Sequence, residues 1–187
     1  MNSELLASTP ACYSVAVVRG RKNPLHYELP RRLKRARDQA GLSRLGLATK
    51  AGVSDATVLY IETSHRIPTV ATIARLSTAI GLSAAWLAYG LGEQGSTGEP
   101  HCSEGMAERL RSVRGERGLN RTDLARIAER TPGTVSGIEN GGQAGVDTIE
   151  QLAKALGISP AWLAYGAGPQ VLPSRRGARA VQSAADR

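Results

Sequence analysis

The sequence predicts an all-α protein made of two tandem copies of one small helical domain, and three observations carry that expectation. First, a motif returns: SAAWLAYGLGEQ, starting at Ser83, reappears 76 residues later as SPAWLAYGAGPQ, starting at Ser159, and the two copies hold both tryptophans of the chain. Second, apolar residues before each copy recur at three- and four-residue steps, the spacing of one face of a helix. Third, the chain is 41% hydrophobic but only 4% aromatic, with no Phe. Its cores are therefore aliphatic, which favours helices over aromatic-rich sheets.

Working back from the motif, Leu76 matches Leu152, Ile73 matches Ile149 and Val70 matches Val146 at the same offset. Further back the offset is 77: Glu62 with Glu139, Ile61 with Ile138, Val58 with Val135, Thr57 with Thr134, Leu47-Ala48 with Leu124-Ala125, and Leu33 with Leu110. One residue is missing from the second copy between Glu139 and Val146, a loop change of little energetic consequence.

In the first copy Leu29, Leu33, Ala36 and Ala40 form the apolar stripe of a helix whose other faces carry Arg31, Arg32, Lys34, Arg35 and Arg37. Gly41 stops it. Ser43 caps a second, short helix running to about Ala51, with Leu47, Ala48 and Ala51 inward. Gly52 supplies a left-handed turn residue, Val53 an apolar plug, and Ser54 the cap of a third helix from Asp55 to about Glu62. After a loop containing Pro68, Val70, Ile73, Leu76 and Ile80 mark a fourth helix ended by Gly81. Ser83 caps a fifth, carrying Trp86 and Leu87 as expected core residues.

Five short helices with a tight turn between the second and third resemble the lambda-repressor-like (XRE-type) helix-turn-helix transcriptional regulators. The residues carrying the resemblance are Leu42-Ser43-Arg44, Leu47-Ala48, Gly52-Val53-Ser54, Val58, Ile61-Glu62 and Pro68, with the LSAAWLAYG ending. The implied organisation is an N-terminal arm (1–28), a first helix-turn-helix domain (29–92), a flexible linker (93–106), a second domain (107–168) and a basic tail (169–187). The linker, rich in Gly, Ser and Glu, has a coil span of roughly 20 Å.

The resemblance implies that the third helix enters the major groove of double-stranded DNA with its N-terminal side chains at the base edges. The matching residues are Asp55, Ala56, Leu59 and Tyr60. Asp55 suits a cytosine amino group, or merely the positive end of its own helix. Arg44 resembles a phosphate clamp, and Ser54, Thr57, His65 and Arg66 are further expected backbone contacts. In the second copy the corresponding contact set is Arg121, Thr131, Thr134 and Ser136.

That second copy departs from the pattern. Glu129 and Arg130 stand where Gly52 and Val53 stand, and the base-facing positions hold Pro132, Gly133, Ser136 and Gly137. Charge follows the same division. Net charge is +8 overall, yet 29–92 holds nine cations against three anions, and 107–168 holds eight against seven. A polyanion partner rewards a basic excess through counterion release. The first domain is thus the expected sequence reader, and the second a backbone binder, a dimerisation unit or a protein-binding domain. The family usually binds palindromes as a homodimer; a chain acting as its own pseudo-dimer is the rival arrangement.

The residues offer no nucleophile–base–acid constellation, so no enzyme activity is expected. Glu62 and Glu139, one per copy, suit packing near the turn rather than catalysis. Cys12 and Cys102 are far apart and read as free thiols, so neither metal nor other cofactor is expected. No apolar run reaches membrane-spanning length, and the expected location is cytoplasmic, at the nucleoid. The expectation is a repressor of bacterial or phage origin; an antitoxin-like or adaptor protein is the alternative.

Overall fold

The computed structural model describes residues 24–95 and 105–172. Cys12, Cys102, most of the N-terminal arm, most of the linker and most of the basic tail lie outside the described residues. A 3-10 turn, Leu25–Glu28, leads into α1 (Leu29–Gln39), α2 (Arg44–Ala51), α3 (Asp55–Glu62), α4 (Val70–Ile80) and α5 (Ala84–Tyr89). The second repeat supplies α6 (Met106–Glu116), α7 (Arg121–Ile127), α8 (Pro132–Glu139), α9 (Val146–Leu156) and α10 (Pro160–Tyr165). The described residues are all-α, in two tandem units of five helices, as the sequence predicts.

Most of the helices begin where a side-chain oxygen satisfies a free N–H; α1, α6 and α9 do not. Ser43 accepts from Gly46 N at 3.0 Å, Ser54 from Thr57 N at 3.2 Å and Thr69 from Thr72 N at 3.2 Å. Asn120 and Thr131 do the same for α7 and α8 at 2.8 and 3.2 Å. Each such cap contributes about 1 kcal/mol. Inside, Leu33, Leu47, Val58, Ile73, Leu76 and Leu87 are fully buried, as are their counterparts Leu110, Leu124, Val135, Ile149, Leu152 and Leu163.

Glycine is absent from the turn of the second copy, yet the turn survives. Gly52 has φ 65° and Glu129, its counterpart, φ 54°. The bond that closes the turn is also kept: Val53 N donates to Ala48 O at 2.9 Å, and Arg130 N to Ala125 O at 2.8 Å. Arg130, in place of the apolar plug, is half-buried and pairs with Asp147 at 2.6 Å. The strain of an L-residue in this conformation, about 1 kcal/mol or more, is carried by the rest of the fold.

The two repeats pack against each other through reciprocal contacts. Tyr89 Oη donates to Val146 O at 3.2 Å, and Tyr165 Oη donates to Val70 O at 3.2 Å. Val70 N donates to Ala144 O at 2.9 Å, and Val146 N to Pro68 O at 3.1 Å. Each pair exchanges the roles of equivalent residues, the mark of a two-fold relation. Thr69 faces Gly145, its own counterpart, in an antiparallel bridge, so the pseudo-two-fold axis passes between them. Helices α5 and α10, also equivalent, lie against each other. Trp86 and Trp162 are half-buried at the edge of the core, not in its centre; the fully buried aromatics are Tyr89 and, nearly so, Tyr165. The tryptophans, expected as core residues, pack against the core from its edge.

Among the described residues, a clasp at the start of the first repeat has no counterpart in the second. The backbone N–H groups of Leu25 and His26 donate to Glu150 at 2.5 and 3.1 Å, and His26 Nδ1 meets the same carboxylate at 2.6 Å. The position equivalent to Glu150 is Ala74, so this clasp ties the start of the first repeat to α9 from one side only.

Candidate nucleic-acid interface

Helix α3 buries Val58 and Ile61 and turns Ala56, Leu59 and Tyr60 outward, Tyr60 being 47% exposed. These three lie at i, i+3 and i+4, on one face. Asp55 sits at the first helical position, half-buried, beside the Ser54 cap. The structure thus brings Asp55, Ala56, Leu59 and Tyr60 together on the outer side of α3, with Arg44 at the first residue of α2.

Around this face the hydrogen-bonding inventory is specific. Ser54 Oγ and Thr57 Oγ1 lie 2.8 Å apart while Ser54 also accepts from Thr57 N. Two hydroxyls sharing one bond leave one proton for an outside acceptor. Thr131 and Thr134 repeat the arrangement at 2.9 Å. Thr63 Oγ1 donates to Leu59 O at 2.8 Å, so His65 Nδ1, 2.8 Å from Thr63 Oγ1, must be the donor of that contact. That leaves Nε2 of His65 as the ring nitrogen without a bond to Thr63. Arg66 is exposed on the same loop.

The deepest difference between the repeats is electrostatic. In the first, Arg37 grips Glu62 through Nε at 2.7 Å and Nη2 at 3.2 Å while Nη1 donates to Leu42 O at 2.9 Å. The hydrogen bonds that Arg37 donates to Glu62 raise its pKa above the ordinary value, against the opposing effect of burial. Lys34 and Arg44 take no part in this pair. They line a shallow depression with Leu59, Glu62 and Thr63, and among the described residues neither makes an ion pair or side-chain hydrogen bond within the chain.

In the second repeat the pair persists and two more arginines join it. Arg114 reaches Glu139 through Nε at 2.5 Å and Nη2 at 3.3 Å, and Arg121 Nε donates to Glu139 Oε2 at 2.6 Å. Arg111 Nη2 donates to the Glu139 carbonyl at 2.5 Å. Arg111 and Arg121 are the counterparts of Lys34 and Arg44. Glu139 is fully buried. Burial acts to raise its pKa, but the hydrogen bonds from Arg114 and Arg121 outweigh it and hold the carboxyl below the usual range.

The outer face of α8 is nearly bare, with Gly133, Ser136 and Gly137 at the positions of Ala56, Leu59 and Tyr60. A Cβ on Gly133 would meet only Thr131 Oγ1, at 3.8 Å, and one on Gly137 nothing within 4 Å. Packing does not demand either glycine.

Sequence reasoning missed Lys34 and the arginine cluster around Glu139. The signal was present: Arg37 and Glu62 stand 25 residues apart, and so do Arg114 and Glu139.

Among the described residues no group of three or more His, Cys, Asp or Glu could hold a metal ion. Within them no helix is long and apolar enough to cross a membrane. The sequence profile of the helix-turn-helix family matches twice, over residues 33–87 and 110–163. Comparison with curated proteins gave no match, and comparison with solved structures gave none.

Proposed function

The chain belongs to the helix-turn-helix family of XRE-type DNA-binding regulators, in two tandem copies, and from that premise we propose that it is a sequence-specific repressor of bacterial or phage origin that reads the major groove mainly through its first repeat. The observation that carries the unequal roles is the fate of two equivalent arginines. Among the described residues Arg44 has no partner beside α3, while Arg121 is held on Glu139. A phosphate contact from Arg121 would have to compete with a charge-assisted bond to a buried carboxylate; one from Arg44 would not. Side chains able to touch bases follow the same division: Asp55, Ala56, Leu59 and Tyr60 in α3, and Ser136 alone in α8. In this reading Ser54, Thr57, His65 and Arg66 hold the backbone near the first repeat, and Thr131 and Thr134 do so near the second. The homodimer usual in the family has its rival in the internal pairing of the two repeats.

A second reading, an antitoxin-like or adaptor protein whose second repeat holds another protein, is favoured by one residue. Ile127 is 42% exposed at the end of α7, where the first repeat has Lys50.

Binding to duplex DNA followed against salt concentration separates the two. The DNA reading expects the affinity to fall steeply, with several counterions released per chain. An affinity for duplex that is negligible or indifferent to salt would sink it.

A further inference from the structure

We infer that one chain occupies both half-sites of a single, asymmetric operator, doing alone what two copies of a one-domain regulator do together; this rests on the DNA-binding reading above. The reciprocal bonds Tyr89–Val146 and Tyr165–Val70, with Thr69 opposite Gly145, define an internal two-fold relation. A two-fold rotation preserves height along its axis, so α3 and α8 lie at the same level, and whatever part of the α3 face looks along the axis is repeated by α8 on the same side. Short loops tie both helices to the bridge at the axis. Helix α3 ends at Glu62, a short loop before Thr69, and α8 ends at Glu139, a shorter loop before Gly145. Two recognition helices flanking a two-fold axis are the arrangement that meets successive major-groove segments one helical turn apart.

The surface that pairs the repeats is used up within the chain. Tyr89 and Tyr165 are buried against the opposite repeat, and the carbonyl groups of Pro68 and Ala144 already accept from Val146 and Val70. A second chain has no equivalent edge left to pair with at this axis.

The two halves are not alike, so the operator is not a palindrome. One half-site faces Ala56, Leu59 and Tyr60. The other faces Gly133, Ser136 and Gly137, a helix surface that presents little beyond backbone and can hold DNA with little discrimination between bases.

The test uses the full chain and duplexes selected from a random pool. Sedimentation equilibrium should give one chain per selected duplex. Hydroxyl-radical footprinting should show two protected segments about 10 base pairs apart, one flanking a well-defined half-site and one a degenerate half-site. Inserting five base pairs between the segments turns one to the far side of the duplex and should weaken binding about 100-fold, since the second contact is lost. Two chains per duplex, a single protected segment, a palindromic consensus, or indifference to the insertion would each overturn the inference while leaving DNA binding intact. If the pool yields no bound duplex, the DNA-binding reading itself falls, and this inference with it.

Discussion

Arg121 donates from Nε to Oε2 of the buried Glu139 at 2.6 Å, while Arg44, at the same place in the first repeat, is left to solvent. The consequence is a difference between two otherwise matched substitutions. Arg44→Ala removes an available phosphate contact and is expected to weaken duplex binding about tenfold, lowering the salt slope by about one, with little change in melting temperature. Arg121→Ala should leave affinity within about threefold, because the side chain is engaged internally on a buried carboxylate. Fluorescence anisotropy on the same duplex checks both. Equal weakening by the two would refute the unequal roles of the repeats.

The buried end of that cluster makes a stability prediction. Removing the Glu139 carboxylate strands the side chain of Arg114, only 16% exposed, and Glu139→Ala is expected to cost about 3–5 kcal/mol. The pH dependence follows from the sign of the shift. The carboxyls of Glu139 and Glu150 are both held below the usual range, in each case because hydrogen bonds to the ionised form outweigh burial. Their contribution is therefore present above the ordinary glutamate pKa of about 4.3 and is lost as pH falls through and below it. Urea midpoints measured between neutral and acid pH should drop in the wild type. A flat profile would contradict the pairing.

The tyrosines on the internal interface predict the opposite limb. Burial pushes the Tyr89 and Tyr165 hydroxyls above the usual phenol range. The folded chain keeps those protons at pH values where the unfolded chain gives them up, so stability falls as pH rises through about 10. Neither group should show tyrosinate absorbance before the protein unfolds. Tyr89→Phe and Tyr165→Phe are each expected to cost about 0.5–1.5 kcal/mol, and by similar amounts, since each removes one equivalent bond. A marked inequality in denaturant unfolding would deny the reciprocal geometry.

Local structure was legible because local chemistry sets it: Ser43, Ser54 and Ser83 open helices, and the 3.6-residue spacing of Val70, Ile73 and Leu76 marks a buried face. The outward placement of Ala56, Leu59 and Tyr60 on α3 was legible for the same reason. The Arg114–Arg121–Glu139 cluster was not, because its members come from three helices and only the fold brings them together. Tyr89 was hidden differently. It sits in the most conspicuous repeated motif, which by itself suggests a core, yet its hydroxyl bonds across to the other repeat. The motif recurs nearly unchanged because both sides of a two-fold contact must carry it. The lost turn glycine misled in the other direction: Glu129 adopts the left-handed conformation anyway.

That strained turn has a direct test. Glu129→Gly relieves a positive φ that an L-side chain resists, at the expense of a more mobile unfolded chain. The balance should be a gain of about 0.5–1 kcal/mol. Gly52→Ala introduces the same strain in the first repeat and should cost about 1 kcal/mol. Thermal melts of the two variants should move in opposite directions.

The glycines of α8 set stability against function. Each lies inside an eight-residue helix and weakens it by about 1 kcal/mol relative to alanine. Open space surrounds the Cβ that either would carry, so the double variant Gly133→Ala, Gly137→Ala should be more stable by about 2 kcal/mol with its fold unchanged. If α8 lies in the major groove with its backbone close to the bases, a larger side chain has no such freedom there. Gly137→Leu should then keep or raise the melting temperature while weakening duplex binding about tenfold or more, the mark of a clash made only in the complex. Undiminished binding by that variant would place α8 away from the DNA, and the second repeat would then serve the first only as its partner across the internal two-fold.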